Sequence, residues 1–480
     1  MKFGKGLPEV SDADWAKTPA SVKTLLAALL DRMAALDARN AALEARVREL
    51  EDQVRANSSN SSKPPSSDGP ATPPRKDKPK GRARGGQPGH PPHKRALVPV
   101  AQVDAVHPVV PSTCAHCQAS LTGTDVSPIR HQQVEVPEKL RYVTEWQLHT
   151  LTCRACGERT TGQLPQGVQG AFGPRLEALT ALLVGRFRLS HREVPELLRE
   201  VFGIDLSDGA VTDCVQTVSD ALQRPVAQAR TAAQAAPVKN IDETGWRIDK
   251  KRAWLWVLVT GVATVFLVRR SRGQTVAREL LGDTPGLVGS DRWAAYDYLT
   301  LALRQLCWAH LIREWQRFVE RGDTDAEVGE AMQGVTRRLF AAWDQFCAGE
   351  LPRADLARRV KRYQGEARTA LTRGAAGASR KTAGTCREIL ARFVALWTFT
   401  RRTGIAPTNN AAEQAIRPAV LWRKGSFGND SARGAVFTER ILTTVATLRA
   451  HGRPVLPFLV EAVRASLQHT KAPSLITQAA

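Results

Sequence analysis

Three acidic residues stand in settings that suit metal chemistry: Asp242, Asp291 and Glu413. Asp242 lies in Lys239-Asn240-Ile241-Asp242-Glu243-Thr244-Gly245-Trp246, which reads as a strand ending at the carboxylate. Asp291 ends the next apolar run, Leu287-Val288-Gly289-Ser290. Glu413 comes much later, in Asn409-Asn410-Ala411-Ala412-Glu413, where a helix should start with Asn410 as its cap and Glu413 at the third helical position. Two Asp on strand ends and one Glu on a helix make the ligand set of a site for two Mg²⁺ (or Mn²⁺) ions. Hard cations take oxygen ligands, and a pair stabilises both the attacking and the leaving oxygen of an in-line phosphoryl displacement.

Other groups compete for or support these roles. Glu243 and Asp297 are neighbouring carboxylates without a strand-end position, and Glu366, Glu388 and Glu439 are alternative third ligands. His310 opens a helix after an apolar strand. It is a candidate support near the metals or the scissile phosphate, set against the commoner structural histidine. Arg417, one turn beyond Glu413, is placed to pair with it or to hold phosphate.

A second metal chemistry is written in Cys114-Ala115-His116-Cys117 and Cys153-Arg154-Ala155-Cys156. Two Cys-x-x-Cys knuckles flanking a β-rich stretch, Gln132 to Thr150, fit a zinc ribbon holding one structural Zn²⁺ through Cys114, Cys117, Cys153 and Cys156. The separation of 35 residues is longer than usual for a finger, and redox-active or unliganded cysteines are the rival reading. Eight Cys in 480 residues are too sparse for a disulfide scaffold.

These sites need a chain that can position them and bring them to a polyanion. Lys and Arg total 68 against 47 acids, a net charge of +21, which favours nucleic acid over a membrane surface. No apolar run approaches a membrane span and no signal peptide is seen, so a cytoplasmic location is expected. Residues 15–56 read as a parallel zipper, with the heptads proper over 21–56: d at Val22, Leu29, Leu36, Leu43 and Leu50, and a at Leu26, Met33, Asn40, Val47 and Val54. Arg32, Arg39 and Arg46 at g then face Asp37, Glu44 and Glu51 at e, and the lone Asn at a favours a two-stranded homodimer in register. Residues 57–97 carry too few apolar side chains to offset chain entropy and read as a disordered basic tether that contacts phosphate without reading sequence.

The ribbon occupies 98–170, and 171–234 is helical. Within it Ser190–Phe202, a turn at Gly203-Ile204-Asp205-Leu206, and a second helix capped by Ser207 form a helix-turn-helix candidate for DNA. Residues 235–320 and 405–440 order as antiparallel strands, with a hairpin bending at Thr260-Gly261, then parallel strands with crossover helices, one of them at Ala294–Leu301. That order is an α/β, ribonuclease-H-like core. An all-helical insertion over 321–404 interrupts it, and 441–480 supplies C-terminal helices and a tail.

Asn57-Ser58-Ser59-Asn60-Ser61-Ser62-Lys63-Pro64-Pro65-Ser66-Ser67-Asp68, Gly86-Gln87-Pro88-Gly89-His90 and the paired knuckles recur in a known order. With Asp242-Glu243-Thr244, Ser290-Asp291-Arg292-Trp293-Ala294-Ala295-Tyr296, Cys307-Trp308-Ala309-His310 and Asn409-Asn410-Ala411-Ala412-Glu413, the chain resembles the DDE transposases of the insertion sequence 66 family. The resemblance implies a ribonuclease-H-like fold, divalent metal and a triad of Asp242, Asp291 and Glu413. It also implies cleavage and strand transfer at the terminal inverted repeats of a bacterial mobile element, into target DNA, with small accessory proteins and a nucleoid-associated setting. Two other readings remain: a catalytically inert DNA-binding regulator using zipper, ribbon and helices alone, and a metal-dependent nuclease of the same fold that cleaves without joining.

Overall fold

A computed structural model describes residues 11–55, 57, 61, 96–123, 125–137, 140–283 and 286–476. The tether expected over 57–97 thus lies almost wholly outside the described residues. The chain divides into two compact units, Met1–Lys78 with His310–Ala391, and Pro79–Ala309 with Arg392–Ala480.

Ser11 caps a short α1 (Asp12–Lys17), its Oγ accepting from Asp14 N at 3.1 Å. Pro19 then separates it from α2 (Ala20–Arg55), one helix of 36 residues. The expected seam runs along α2 uncovered: Leu29, Leu36, Leu43 and Leu50 are each 44–54% exposed.

In the second unit, β1 (Thr150–Thr152) pairs antiparallel with β2 (Arg159–Thr161) around the second knuckle. The stretch expected to be β-rich, Gln132 to Thr150, forms no strand among its described residues before Thr150. Val134, Val136, Tyr142 and Val143 are 65–94% exposed there, and a strand without a neighbour has nothing to pair its amides and carbonyls with.

Helices follow: α3 (Pro174–Leu182), continued by a π turn (Leu183–Phe187), α4 (Glu193–Phe202), α5 (Asp208–Ala221) and α6 (Gln223–Ala235). The α4–α5 turn has the expected chemistry. Gly203 ends α4 at φ +61°, a left-handed position, and Ile204 N bonds back to Leu198 O. Ser207 Oγ accepts from Ala210 N at 3.2 Å and opens α5. Val194, Leu198, Val211, Cys214 and Val215 are buried, whereas Val201 on α4 is 49% exposed.

The sheet that follows has five strands in the order β5-β4-β3-β6-β7. β3 (Val238–Ile248), β4 (Lys251–Val259) and β5 (Thr264–Arg269) form an antiparallel meander. Its first turn puts Asp249 and Lys250 both at positive φ, as a two-residue hairpin turn requires. The helix α7 (Gln274–Leu281) crosses to β6 (Leu287–Ser290), which lies parallel to β3, and β7 (Arg304–Leu306) lies parallel to β6. The helix expected over Ala294–Leu301 is only a 3-10 turn, Ala294–Tyr296. Beyond it the Asp297 carboxylate turns to Arg304 and Arg392, and the chain leaves helical geometry. Leu255, Trp256, Val257, Leu258 and Phe266 are buried, each contributing on the order of 2 kcal/mol as apolar surface leaves water.

From β7 the chain enters α8 (Trp308–Arg321), α9 (Asp323–Cys347), α10 (Arg353–Gly377) and α11 (Arg380–Ala391), the helical segment of the first unit. The expected insertion ended at 404, but 392–404 belong with the sheet. There α12 (Thr398–Arg401) covers the β7 edge, with Thr398 Oγ1 donating to Arg304 O at 2.6 Å and Phe399 N donating to Gln305 Oε1 at 2.9 Å. The chain closes with α13 (Asn410–Ser426), α14 (Ala432–Ala450) and α15 (Val455–Leu467). At the opposite edge, α14 lays Glu439, Thr443 and Thr447 along β5: their side chains accept from the amides of Val268, Phe266 and Thr264 at 2.9, 2.9 and 3.1 Å. The architecture is a mixed sheet flanked by helices, compatible with a ribonuclease-H-like core. Among the described residues no helix is long and apolar enough to cross a membrane.

Candidate active site

Strand register brings the two aspartates together. The parallel pairing of β3 with β6 runs Val238 to Leu287, Lys239 to Val288 and Asn240 to Gly289, then stops. Asp242 and Asp291 each stand two residues past that last pair, close enough for the charge of Asp291 to act on the Asp242 carboxyl. Asp242 is not at a strand end, as its sequence setting suggested. β3 continues to Ile248 because its other neighbour, β4, keeps pairing with it. It does stand where the parallel half of the sheet ends.

The third carboxylate is tied to the same place by Asn409. This residue, not Asn410, is the N-cap of α13, which puts Glu413 at the fourth helical position. Its side chain makes no capping bond. Instead, Nδ2 donates to Ile241 O at 2.7 Å, and its backbone N donates to Cys307 Sγ at 3.1 Å. Cys307 Sγ lies 3.9 Å from Glu413 Oε1. A capping box needs its acid at the third position, so Glu413 is not committed to the helix start.

Burial pushes the Asp242 carboxyl well above the ordinary aspartate range, and the negative charges of Glu243, Asp291 and Glu413 push it the same way. A half-buried acid among three others is a setting that a bound cation relieves. Asn409 Oδ1 is fully buried and has no hydrogen-bond partner, and a Cβ on Gly289 would sit 3.6 Å from it and 2.6 Å from Asn240 Oδ1. The carboxylates of Asp242, Asp291 and Glu413 offer hard oxygens, which fit Mg²⁺ or Mn²⁺, and Cys307 Sγ beside Glu413 is a softer donor. The oxygens of Asp242, Asp291 and Glu413 do not all fall within 4.8 Å of one another.

The neighbouring acids are otherwise engaged. Glu243 Oε1 accepts from Arg272 Nε at 2.8 Å and Nη2 at 2.7 Å, and its Oε2 accepts from the Tyr296 hydroxyl. Burial raises the Glu243 carboxyl, as does the charge of Asp291. Asp297 is ion-paired to Arg304 at 3.1 Å and to Arg392 at 2.6 Å. Glu439 is bound to Val268 N and, at 2.6 Å, to Arg269.

Sequence reasoning passed over Arg304. Fully buried in β7, it donates to Ser290 Oγ (3.0 Å), Asp291 O (2.8 Å), Tyr296 O (3.2 Å) and Asp297 Oδ1 (3.1 Å), fixing the loop that carries Asp291. The usable signal was a lone Arg opening a short apolar strand, since an Arg is almost never fully buried unless paired. His310 sits half-buried in the first turn of α8, and Arg417 is exposed on α13.

The two knuckles share one backbone pattern. Cys114 N donates to Ala119 O and Cys114 O accepts from Gln118 N; Cys153 N donates to Glu158 O and Cys153 O accepts from Gly157 N. Gln118 and Gly157 take the positive φ each turn needs. Amides of Cys117 and His116 lower the Cys114 thiol, and amides of Cys156 and Ala155 lower that of Cys153. Among the described residues no three of Cys114, Cys117, Cys153 and Cys156 have their sulfurs within 4.8 Å of one another.

Comparison with known proteins bears on both regions. A family model described as a family of unknown function (DUF6444) matches residues 6–96. No curated protein matches the chain. A model described as Transposase IS66 family matches residues 169–436, more than half of the 480 residues. That span takes in the whole sheet and all three carboxylates, and on it the chain belongs to the Transposase IS66 family.

Proposed function

We propose that this transposase cuts and joins DNA strands at the ends of its element through a DDE triad of Asp242, Asp291 and Glu413. The observation that carries this is the convergence on Asp242: β3, the loop after β6 and the start of α13 each contribute an acid, and burial together with the others' charge raises its carboxyl. Asp242, Asp291 and Glu413 would hold two Mg²⁺ (or Mn²⁺) ions through their carboxylate oxygens. When bound, such a pair lowers the pKa of the attacking water and stabilises the attacking and leaving oxygens. Asn409 holds α13 against Ile241 and so sets the reach of Glu413. Arg304 holds the Asp291 loop, and the bonds to Arg272 and Tyr296 keep Glu243 out of the ligand set. The first displacement frees a 3′-OH at the element's end, and the second joins it in line to target DNA.

The remaining parts serve the same task. The α2 seam makes a parallel homodimer through residues 21–56, which pairs two ends. Cys114, Cys117, Cys153 and Cys156 close on one structural Zn²⁺. The basic segment 57–97 and the α4–α5 pair hold DNA at the terminal inverted repeats. Small accessory proteins of the element, and a cytoplasmic, nucleoid-associated setting, complete the reading. His310 and Arg417 support the site near the scissile phosphate.

The test is strand cleavage and joining in Mg²⁺ on DNA carrying the element's ends, with Asp242→Asn as the comparison. No cleavage by the wild-type protein would return the chain to the class of DNA-binding regulators, and activity that survives in Asp242→Asn would remove Asp242 from the triad. Cleavage without joining would make it a nuclease.

A further inference from the structure

Trp293 is the large apolar side chain left uncovered next to the triad. It is 40% exposed, two residues past Asp291, and its backbone N donates to Asp291 Oδ1 at 2.8 Å. Such a ring gains little from the core, yet it is held firmly. The Arg272 guanidinium lies over one face, 4.1 Å from the ring centroid, and the indole Nε1 donates to Arg272 O at 3.0 Å. Arg272 is in turn fixed by two bonds to the buried carboxylate of Glu243, the residue after Asp242. The indole is thus braced between the two strands that carry the aspartates, with one face and one edge engaged.

We infer that the free face of Trp293 is a stacking plate for an unpaired nucleobase beside the phosphodiester at the triad. The inference rests on the DNA-processing reading above and adds a substrate contact to it. Three physical points support a base as the occupant. A chain of net charge +21 draws in polyanions, and the partner of a carboxylate-metal site is a phosphodiester. Every base has a π-face, and stacking on an aromatic side chain is a recurrent way to hold one out of the duplex. A ring already immobilised loses little entropy on binding. The Arg272 cation on the opposite face keeps the indole from tipping and leaves the free face for the base. Trp293 is accordingly a positioning and specificity residue: it favours DNA whose strands are parted at the cleaved end over a fully paired end.

The test uses two synthetic DNAs of one sequence, a blunt duplex and a fork whose terminal bases are unpaired, each carrying 2-aminopurine at the branch. Binding is followed in Ca²⁺ with the full-length protein. Wild type should prefer the fork and quench the 2-aminopurine on it. Trp293→Ala should lose about tenfold in fork affinity, the low-to-middle range for one stacked base, together with the quenching, and keep blunt-duplex affinity. Trp293→Phe, which retains a ring, should recover most of both. The inference is overturned if Trp293→Ala keeps the fork preference and the quenching, or if wild type shows neither. Cleavage in Mg²⁺ by the wild-type protein, measured separately, reports on the triad, so loss of one reading is distinguishable from loss of the other.

Discussion

Asn409 Nδ2 donates to the carbonyl of Ile241 at 2.7 Å, which ties the N-cap of the Glu413 helix to the residue before Asp242. The bond joins two segments far apart in sequence, and it replaces the N-cap bond that Asn409 would otherwise make. The helix start is thus turned from capping itself to placing a carboxylate.

Glu413→Gln should keep the fold and DNA binding and abolish cleavage and joining in Mg²⁺. At the fourth helical position the side chain is outside a capping box, so the amide costs the helix little. A neutral amide in place of an anionic oxygen holds Mg²⁺ poorly. Near wild-type cleavage by this variant, measured on labelled element ends, would move the third ligand elsewhere. Glu439 is a poor substitute, because Val268 N and Arg269 already occupy it.

Gly289→Ala should reduce activity more than stability. Its Cβ would meet Asn240 Oδ1 at 2.6 Å and stand 3.6 Å from Asn409 Oδ1. The Asn240 amide is the end of a flexible side chain and moves aside for about 1–2 kcal/mol, read by denaturant unfolding. The same shift crowds the side chains that place the triad, and displacements of about 1 Å at such sites cost on the order of a hundredfold in rate. Equal losses in stability and rate would contradict this.

One Zn²⁺ per chain is expected in freshly purified protein, by elemental analysis. Around a tetrahedral ion with Zn–S bonds of about 2.3 Å the four sulfurs must close to about 3.8 Å of each other. Cys114→Ser should release the metal and increase proteolysis across 98–170. Zinc-free protein with an unchanged digestion pattern would leave the knuckles as plain turns.

Asn40→Val should raise the melting temperature of the coiled-coil dimer and loosen its choice of oligomer, because a polar residue at an a position gives up stability for register. Sedimentation of the 15–60 segment reads both. A monomer at tens of micromolar (roughly) would remove the dimer.

The hairpin β4–β5, the parallel strand before Asp291 and the existence of the helix bearing Glu413 were legible because apolar runs and the residues that bound them act locally. The position of Asp242 within β3 was not. It depends on β6 pairing with only three residues of β3 while β4 pairs with nine, a difference set by neighbours distant in sequence. The same holds for Asn409, whose role is fixed by a carbonyl in another strand, and for Arg304, whose partners come from the loop after β6. The β-rich stretch expected over Gln132 to Thr150 depends on distant neighbours too: among its described residues no strand forms before Thr150.

The side-chain ladder of α14 on β5 also bears on how the sheet comes apart. Three amides of an edge strand, on Thr264, Phe266 and Val268, donate to Thr447, Thr443 and Glu439, so solvent exchange at all three waits on departure of a single helix. Until α14 leaves, the outer rim of β5 has no free donor at these positions to template against another copy. Self-association through that rim would then begin only in molecules that have shed the helix, and deuterium uptake at Thr264, Phe266 and Val268 would rise in one step with it.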